Sequence, residues 1–248
     1  MMEKFLFVLE KKIKLKLVLN NGGIMNNFCW VTLLATDNFC GGVKMLNDSL
    51  KKVNTKYPLY VIATNNLSQE SFNFLDNEKI LYKVFPYVSF FCDGEYNMCY
   101  WGGFIDQRNN IWWNCTMAKN YMFLFNEYQK VCFVDADVEF VKNCDHYFNY
   151  PTPSAFSMQW TDGIHGSVIL IEPNLEDFFT CMKIACDVGV VNDEMVWYRW
   201  KPHFKQMTDH IFPIEDYYGT GDMELNPEAT KYRLKHWDGF EKPWFKNP

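Results

Sequence analysis

Apolar runs alternate with amphipathic stretches along most of the chain. Residues 28–35 (FCWVTLLA) are rich in β-branched and aromatic side chains and predict a first buried strand. Thr36-Asp37-Asn38 breaks that run, and Gly41-Gly42 continues the turn. Residues 43–52 then place Val43, Leu46 and Leu50 on one helical face. Residues 58–64 (PLYVIAT) predict a second buried strand. Residues 68–75 predict a helix with Ser68 as its N-cap, and residues 80–85 a third strand ended by Pro86. A β-α-β-α-β opening of this kind is the nucleotide-binding half of a doubly wound sheet.

Regularity lapses over residues 90–113, where Trp101, Trp112, Trp113 and other aromatics cluster around Gly94, Gly102 and Gly103. Such a loop can offer faces on which sugars stack, or it can pack onto the sheet. Residues 116–128 predict a helix with Lys119 in its first turn. Residues 131–134 (VCFV) then predict a buried strand running into Asp135-Ala136-Asp137. Residues 138–141 read as a short return strand, and 155–159 and 167–171 as further strands. Residues 175–186 read as a helix after Pro173, and Asn192-Asp193-Glu194 opens a last helix over 194–200. His203 and His210 share no evident element at metal-ligand spacing and read as surface or structural residues.

With 248 residues, 48% of them hydrophobic and 18% aromatic, the chain has ample material for one large α/β domain. A net charge of -6 gives no support to a nucleic-acid partner. Nine cysteines at irregular spacings, with no Cys-x-x-Cys, read as small buried hydrophobes in a reducing, cytoplasmic setting. No apolar run reaches the roughly 18–20 residues that a membrane span needs. Residues 1–25 read as a basic extension outside the core, with Met25 an alternative start, and residues 26–248 as the folded domain. The other reading of the extension is a basic amphipathic helix that touches a membrane or a partner.

Two carboxylates at the end of a buried strand are either solvated in a loop or share a cation, and the Asp-x-Asp spacing alone does not choose between these. If the backbone stays extended there, alternation puts Asp135 and Asp137 on the same side, where a hard divalent cation satisfies both. Neither a Gly-x-Gly-x-x-Gly nor a P-loop is present, so a nucleotide bound at the first turn would leave its phosphates to a metal. The chain closes on His236-Trp237-Asp238-Gly239-Phe240-Glu241-Lys242-Pro243-Trp244. This offers an imidazole that suits Mn²⁺ beside carboxylates, a glycine that admits close backbone approach, and a lysine as a point charge for phosphate. A pattern His-x-x-Gly-x-x-Lys-Pro-Trp arises by chance with a probability on the order of one in ten thousand or less.

On four segments the chain resembles the glycogenin-like glycosyltransferases, family 8, of the GT-A fold. They are VTLLATDNF, AKNYMFLFNEYQKVCFVDAD, the stretch around Asn192-Asp193-Glu194, and HWDGFEKPW. The resemblance implies a single Rossmann-like α/β domain with a mostly parallel central sheet flanked by helices. It implies a retaining, Mn²⁺-dependent (Mg²⁺ as the alternative) transfer of a hexose from a UDP-sugar to a protein or glycan acceptor. The hexose would be glucose, galactose or N-acetylglucosamine. Asp135, Asp137 and His236 would hold the metal. Lys242 and the Gly239 backbone would neutralise the departing diphosphate, beside Ala136. Leu33, Ala35, Thr36 and Phe39 fall where the family binds uracil and ribose, with Phe39 at a stacking Tyr position. Lys119 matches the lysine on the transferred sugar and phosphate, Asp193 the aspartate that orients the donor sugar, and Arg108 loosely an arginine on the diphosphate.

Two departures leave the sugar open. Glu194 stands where glycogenin-like members have Gln, and His165-Gly166-Ser167 stands where Asn-Ser-Gly is usual. A carboxylate beside the anomeric carbon could act as nucleophile or stabilise an oxocarbenium-like transition state. Tyr217 and Tyr218 lie in roughly the region of a self-glucosylation acceptor. Competing with an active enzyme is a catalytically silent relative that binds a UDP-sugar or serves as a scaffold, which a broken triad would favour. A nucleotidyltransferase with paired carboxylates would leave the Lys-Pro-Trp ending unexplained. Family members often form homodimers, and no segment here demands one.

Overall fold

The computed structural model describes residues 27–87, 115–157, 163–188, 193–219, 231–237 and 242–245. Six strands form the main sheet: β1 (Phe28–Leu34), β2 (Leu59–Thr64), β3 (Leu81–Phe85), β4 (Lys130–Val134), β6 (Ser154–Ser157) and β7 (Ile164–Ile171). Their order is β3-β2-β1-β4-β7-β6. The first four run parallel, β7 opposes β4, and β6 opposes β7. The predicted mostly parallel sheet is therefore present. Helices α1 (Cys40–Lys52) and α2 (Gln69–Asn77) connect its first half. Ser68 caps α2 as expected, its hydroxyl accepting from the Ser71 N–H. Helices α3 (Leu175–Val188) and α4 (Asp193–Trp200) follow β7.

Strand alternation sends apolar side chains to both faces of the sheet. Cys29, Val31, Val131, Phe133, Ile169 and Ile171 point one way and pack against residues 117–125, α3 and α4. Trp30, Cys132, Val134, Val168 and Leu170 point the other way, onto Leu46 and Leu50 of α1 and onto Val138, Phe140 and Leu234. The last three belong to a second sheet that the apolar pattern did not predict beyond its first strand. It orders β5 (Val138–Phe140), β9 (Leu234–His236) and β8 (Tyr217–Gly219). Strands of three residues are too short to leave a periodic signature.

Three further elements differ from expectation. The predicted helix over 116–128 is a 3₁₀ segment, Met117–Leu124. All eight of its residues are buried, so close packing on every side, not an amphipathic face, sets its winding. Helix α1 starts at Cys40, with both glycines inside it rather than in the turn. The backbone after β4 turns instead of staying extended, with the Val138 N–H donating to the Asp135 carbonyl at 3.1 Å.

The cysteines whose placement is described are free thiols. Cys132 and Cys181 are buried, and Cys40 and Cys115 are partly covered. Among the described residues, no helix is long and apolar enough to cross a membrane. His203 is exposed, with left-handed backbone, and the His210 ring bonds the Pro153 carbonyl at 2.6 Å. Both are structural or surface residues, as expected.

Candidate active site

The site lies at the carboxyl end of β4. The Asp135 N–H donates to the Ser167 carbonyl of β7 at 2.8 Å, which fixes the start of the turn. Its far end is fixed by the small sheet. Val138 pairs with His236 in the antiparallel β5–β9 ladder, and the Trp237 N–H donates to the Asp137 carbonyl at 2.9 Å. His236 Nε2 consequently lies 3.1 Å from Asp137 Oδ1. One ligating atom from each of Asp135, Asp137 and His236 lies within 4.8 Å of the others. Among the described residues, no other His, Cys, Asp or Glu group of three or more converges in this way.

The donor set fits a divalent cation: two hard carboxylates and one borderline imidazole suit Mn²⁺ or Mg²⁺. Positive charge already converges there. Lys119 Nζ lies 2.7 Å from Asp135 Oδ1, and Lys242 Nζ lies 2.5 Å from Asp137 Oδ2. Burial opposes ionisation of Asp137, but His236 and Lys242 outweigh it and hold its carboxyl well below the usual range. Asp135 goes the other way. Burial dominates there, with the Asp137 charge adding to it against Lys119, and its pKa rises to about 6. The two carboxylates thus sit together with their ionisation pushed in opposite directions, an arrangement that a cation relieves.

A second group adjoins the first. Lys119 Nζ also lies 2.8 Å from Asp193 Oδ2 and donates to the Gly166 carbonyl at 3.3 Å. Burial disfavours the Lys119 ammonium, yet Asp135 and Asp193 together keep it charged well beyond its usual range. Glu194 Oε1 accepts from the Gly166 N–H at 2.9 Å. Burial first, and then the Asp193 charge, push the Glu194 pKa up to about 7. Gly166 makes this approach possible. A Cβ there would lie 2.9 Å from Asp193 Oδ2 and 3.0 Å from Glu194 Cγ.

The turn after β1 lies on the other side of Ala136. Ala35 is buried, its carbonyl accepting from Asn66 Nδ2 at 3.1 Å, while Leu33, Thr36 and Phe39 are half-buried. Phe39 meets Trp244 edge-on at 5.7 Å between ring centres. Trp244 Nε1 donates to the Asn38 carbonyl at 3.1 Å, so the closing motif is tied to this turn. The glycines of α1 admit the contact. A Cβ on Gly41 would lie 2.6 Å from Trp244 Cβ, and one on Gly42 would lie 2.8 Å from the Ala136 carbonyl oxygen.

Asp135, Ala136, Asp137, His236, Lys242, Lys119, Asp193 and Glu194 therefore form one connected group, and Phe39 of the first turn reaches the closing motif through Trp244. Arg108, Gly239, Asn192 and the aromatic residues of 90–113 lie outside the described residues. Sequence reasoning gave no site role to Gly41, Gly42 or Gly166, and treated Tyr217 only as an acceptor candidate. The Tyr217 hydroxyl bonds His236 Nδ1, and the His165 ring lies 5.2 Å from that of Tyr217. Burial holds His165 down to about 3, so its ring is neutral. No sequence signal marks these contacts, which depend on the β8–β9 pairing.

The sheet order and the antiparallel insertion of β7 define the GT-A glycosyltransferase fold. Solved structures show the same likeness. The glycosyltransferase GlyE of Streptococcus pneumoniae superposes with a TM-score of 0.58 at 14% identity, over 88% of this chain and 57% of that one. The galactosyltransferase LgtC, in complex with donor and acceptor sugar analogs, gives 0.53 at 13%, over 89% of each. In sequence the chain is similar to the glycogenins. It is 25% identical over 233 residues to Glycogenin-1 of Caenorhabditis elegans, covering 87% of this chain and 50% of that one. It is 23% identical over 224 residues to the glycogenin of Neurospora crassa, covering 87% and 31%. Human Glycogenin-1 is 25% identical over 169 residues, covering 66% and 45%. The chain spans half or less of the length of these curated relatives. No family model matches it. The glycogenin-like resemblance read from the four segments holds over most of the chain.

Proposed function

We propose that the chain is a metal-dependent glycosyltransferase. It moves a hexose from a UDP-sugar to a protein or glycan acceptor with retention of configuration, and residues 26–248 act as one catalytic domain. The observation that carries this reading is the convergence of Asp135, Asp137 and His236 between two buried lysines. The intact triad favours an active enzyme over a silent binding relative.

Asp135, Asp137 and His236 would hold Mn²⁺ or Mg²⁺, which supplies Lewis-acid stabilisation of negative charge on the leaving diphosphate. Ala35, Thr36 and Phe39 form the side of the site where the nucleoside binds. Lys242, with the Gly239 backbone and Arg108, neutralises the diphosphate. On the other side of the triad, Asp193 orients the donor sugar, and Lys119 is held between Asp135 and Asp193 where it reaches both sugar and phosphate. Glu194 adds a carboxyl that its surroundings hold partly protonated near neutral pH. It is the candidate for stabilising positive charge at the anomeric carbon. An active-site Gln-to-Glu mutant of LgtC is among the similar structures, and the glutamate natural to this chain is the corresponding chemical change.

The test is UDP release from UDP-glucose, UDP-galactose and UDP-N-acetylglucosamine, with Mn²⁺ and with EDTA. Mn²⁺-dependent release from one donor is the expected result. Silence across the panel with UDP still bound supports the silent relative, and absence of UDP binding removes the reading.

A further inference from the structure

Tyr217 is a half-buried phenol at the start of β8. Strand β8 runs parallel to β9, with Tyr217 opposite Leu234 and Gly219 opposite His236. That register brings the Tyr217 hydroxyl onto His236 Nδ1, while His236 Nε2 faces Asp137 at 3.1 Å. The Tyr217 ring is itself held, 5.0 Å from Phe156 and 5.2 Å from His165 between ring centres. We propose that Tyr217 is a positioning residue, its hydroxyl orienting the His236 imidazole so that Nε2 is presented to a divalent cation. This rests on the metal-dependent reading above.

The hydrogen-bond chemistry explains why a phenol suits the position. Asp137 is an acceptor, so Nε2 carries a proton toward it whether the ring is neutral or an imidazolium. Tyr217 Oη donates to Nδ1 of a neutral ring and accepts from Nδ1–H of an imidazolium. A cation held at the triad would take the Nε2 lone pair and leave the ring proton on Nδ1. Tyr217 Oη would then accept that N–H. A hydroxyl serves both states because it donates and accepts, whereas an ammonium or a carboxylate serves one. Histidine ligands are commonly fixed through their second nitrogen, and loss of such a partner typically costs about 10–100-fold in metal affinity. The same contact argues against Tyr217 as a self-glycosylation acceptor, because its oxygen is committed to the imidazole. Tyr218 is buried on the opposite face of the strand, against Tyr232.

The test compares wild type, Tyr217→Phe and Tyr218→Phe. Binding of Mn²⁺ alone is followed by electron paramagnetic resonance of the free ion. In parallel, ¹⁵N NMR of the histidine rings is recorded on metal-free protein. Tyr217→Phe is expected to weaken Mn²⁺ binding about 10–100-fold and to move the His236 Nδ1 resonance. Tyr218→Phe is expected to change neither. A general packing defect would not single out Nδ1, so the resonance separates positioning from support. Mn²⁺ affinity within about twofold of wild type, or an unmoved Nδ1 resonance, overturns the proposal. If wild type takes up no Mn²⁺, the metal-dependent reading falls and the Nδ1 resonance alone decides this one. A hexose found on Tyr217 by mass spectrometry after incubation with the UDP-sugar panel also overturns it.

Discussion

Val138 and His236 face each other across the β5–β9 ladder, and this one pairing sets the geometry of the site. Asp137 precedes Val138 in the chain, so the pairing delivers the imidazole to the carboxylate. Asp137 and His236 lie 99 positions apart in the chain. Their meeting makes a pair of acidic residues into a three-ligand group.

Removing Asp137 is expected to abolish the metal site. Asp137→Asn should lower Mn²⁺-dependent UDP-sugar hydrolysis by at least about 10²-fold, the scale of losing a major electrostatic stabiliser. The buried Lys242 then lacks its anionic partner. Thermal unfolding should therefore shift downward along with the loss of activity. Hydrolysis at the wild-type rate would remove the metal assignment.

If Lys242 serves two anions in turn, its removal has opposite effects on cation and nucleotide. It is paired with Asp137, in the region where a cation would bind. On the proposed function it would face the diphosphate of a bound donor. Lys242→Ala should bind Mn²⁺ more tightly in the absence of nucleotide. It should bind UDP more weakly in the presence of Mn²⁺, by about 1.5–3 kcal/mol, tenfold or more in Kd. Calorimetry with Mn²⁺ alone and then with UDP reads both signs. Equal losses in the two titrations contradict this account.

Glu194 predicts a pH dependence of stability. Its folded pKa of about 7 lies above the ordinary 4.5, so the folded protein holds a proton that the unfolded chain releases. The stabilising contribution is complete below pH 4.5 and is lost as pH rises through 7. In EDTA, wild type should lose up to about 3 kcal/mol more than Glu194→Gln between pH 4.5 and 8. Urea unfolding across that range measures the difference. The same variant tests chemistry, since full turnover in Glu194→Gln leaves Glu194 with no catalytic part.

Gly42 sets helix propensity against packing. Alanine is the better helix former by about 1 kcal/mol. Its Cβ, however, would lie 2.8 Å from the Ala136 carbonyl oxygen and 2.9 Å from the Trp244 ring. Gly42→Ala should therefore destabilise the fold by about 1–3 kcal/mol and weaken UDP binding, because α1 must back away from the Asp135–Asp137 turn. A rise in melting temperature would show that the turn can yield without cost.

Much of the fold was legible in the chain. Continuous apolar runs marked β1, β2 and β4, because strands covered on both faces carry few polar positions. Ser68 marked the start of α2 through a local side-chain-to-backbone bond that needs no tertiary information. Both aspartates and the closing motif stood out because their spacing is dense in chemistry. Less legible were elements whose form depends on distant contacts. The 3₁₀ winding of Met117–Leu124 follows from burial on all sides. The helical state of Gly41 and Gly42 follows from Trp244, which lies at the far end of the chain.

The sequence by itself determined which chemistry is available: two carboxylates after a buried strand, an imidazole and a lysine in the last segment, and an acidic pair opening α4. Those are properties of residue type and short spacing. The tertiary structure alone decided which groups meet. The β5–β9 register brings His236 to Asp137, β7 brings Gly166 against Asp193 and Glu194, and β8 lays Tyr217 on the back of the His236 ring. These contacts join residues far apart in the chain through strands too short to leave a periodic trace, so only folding specifies them.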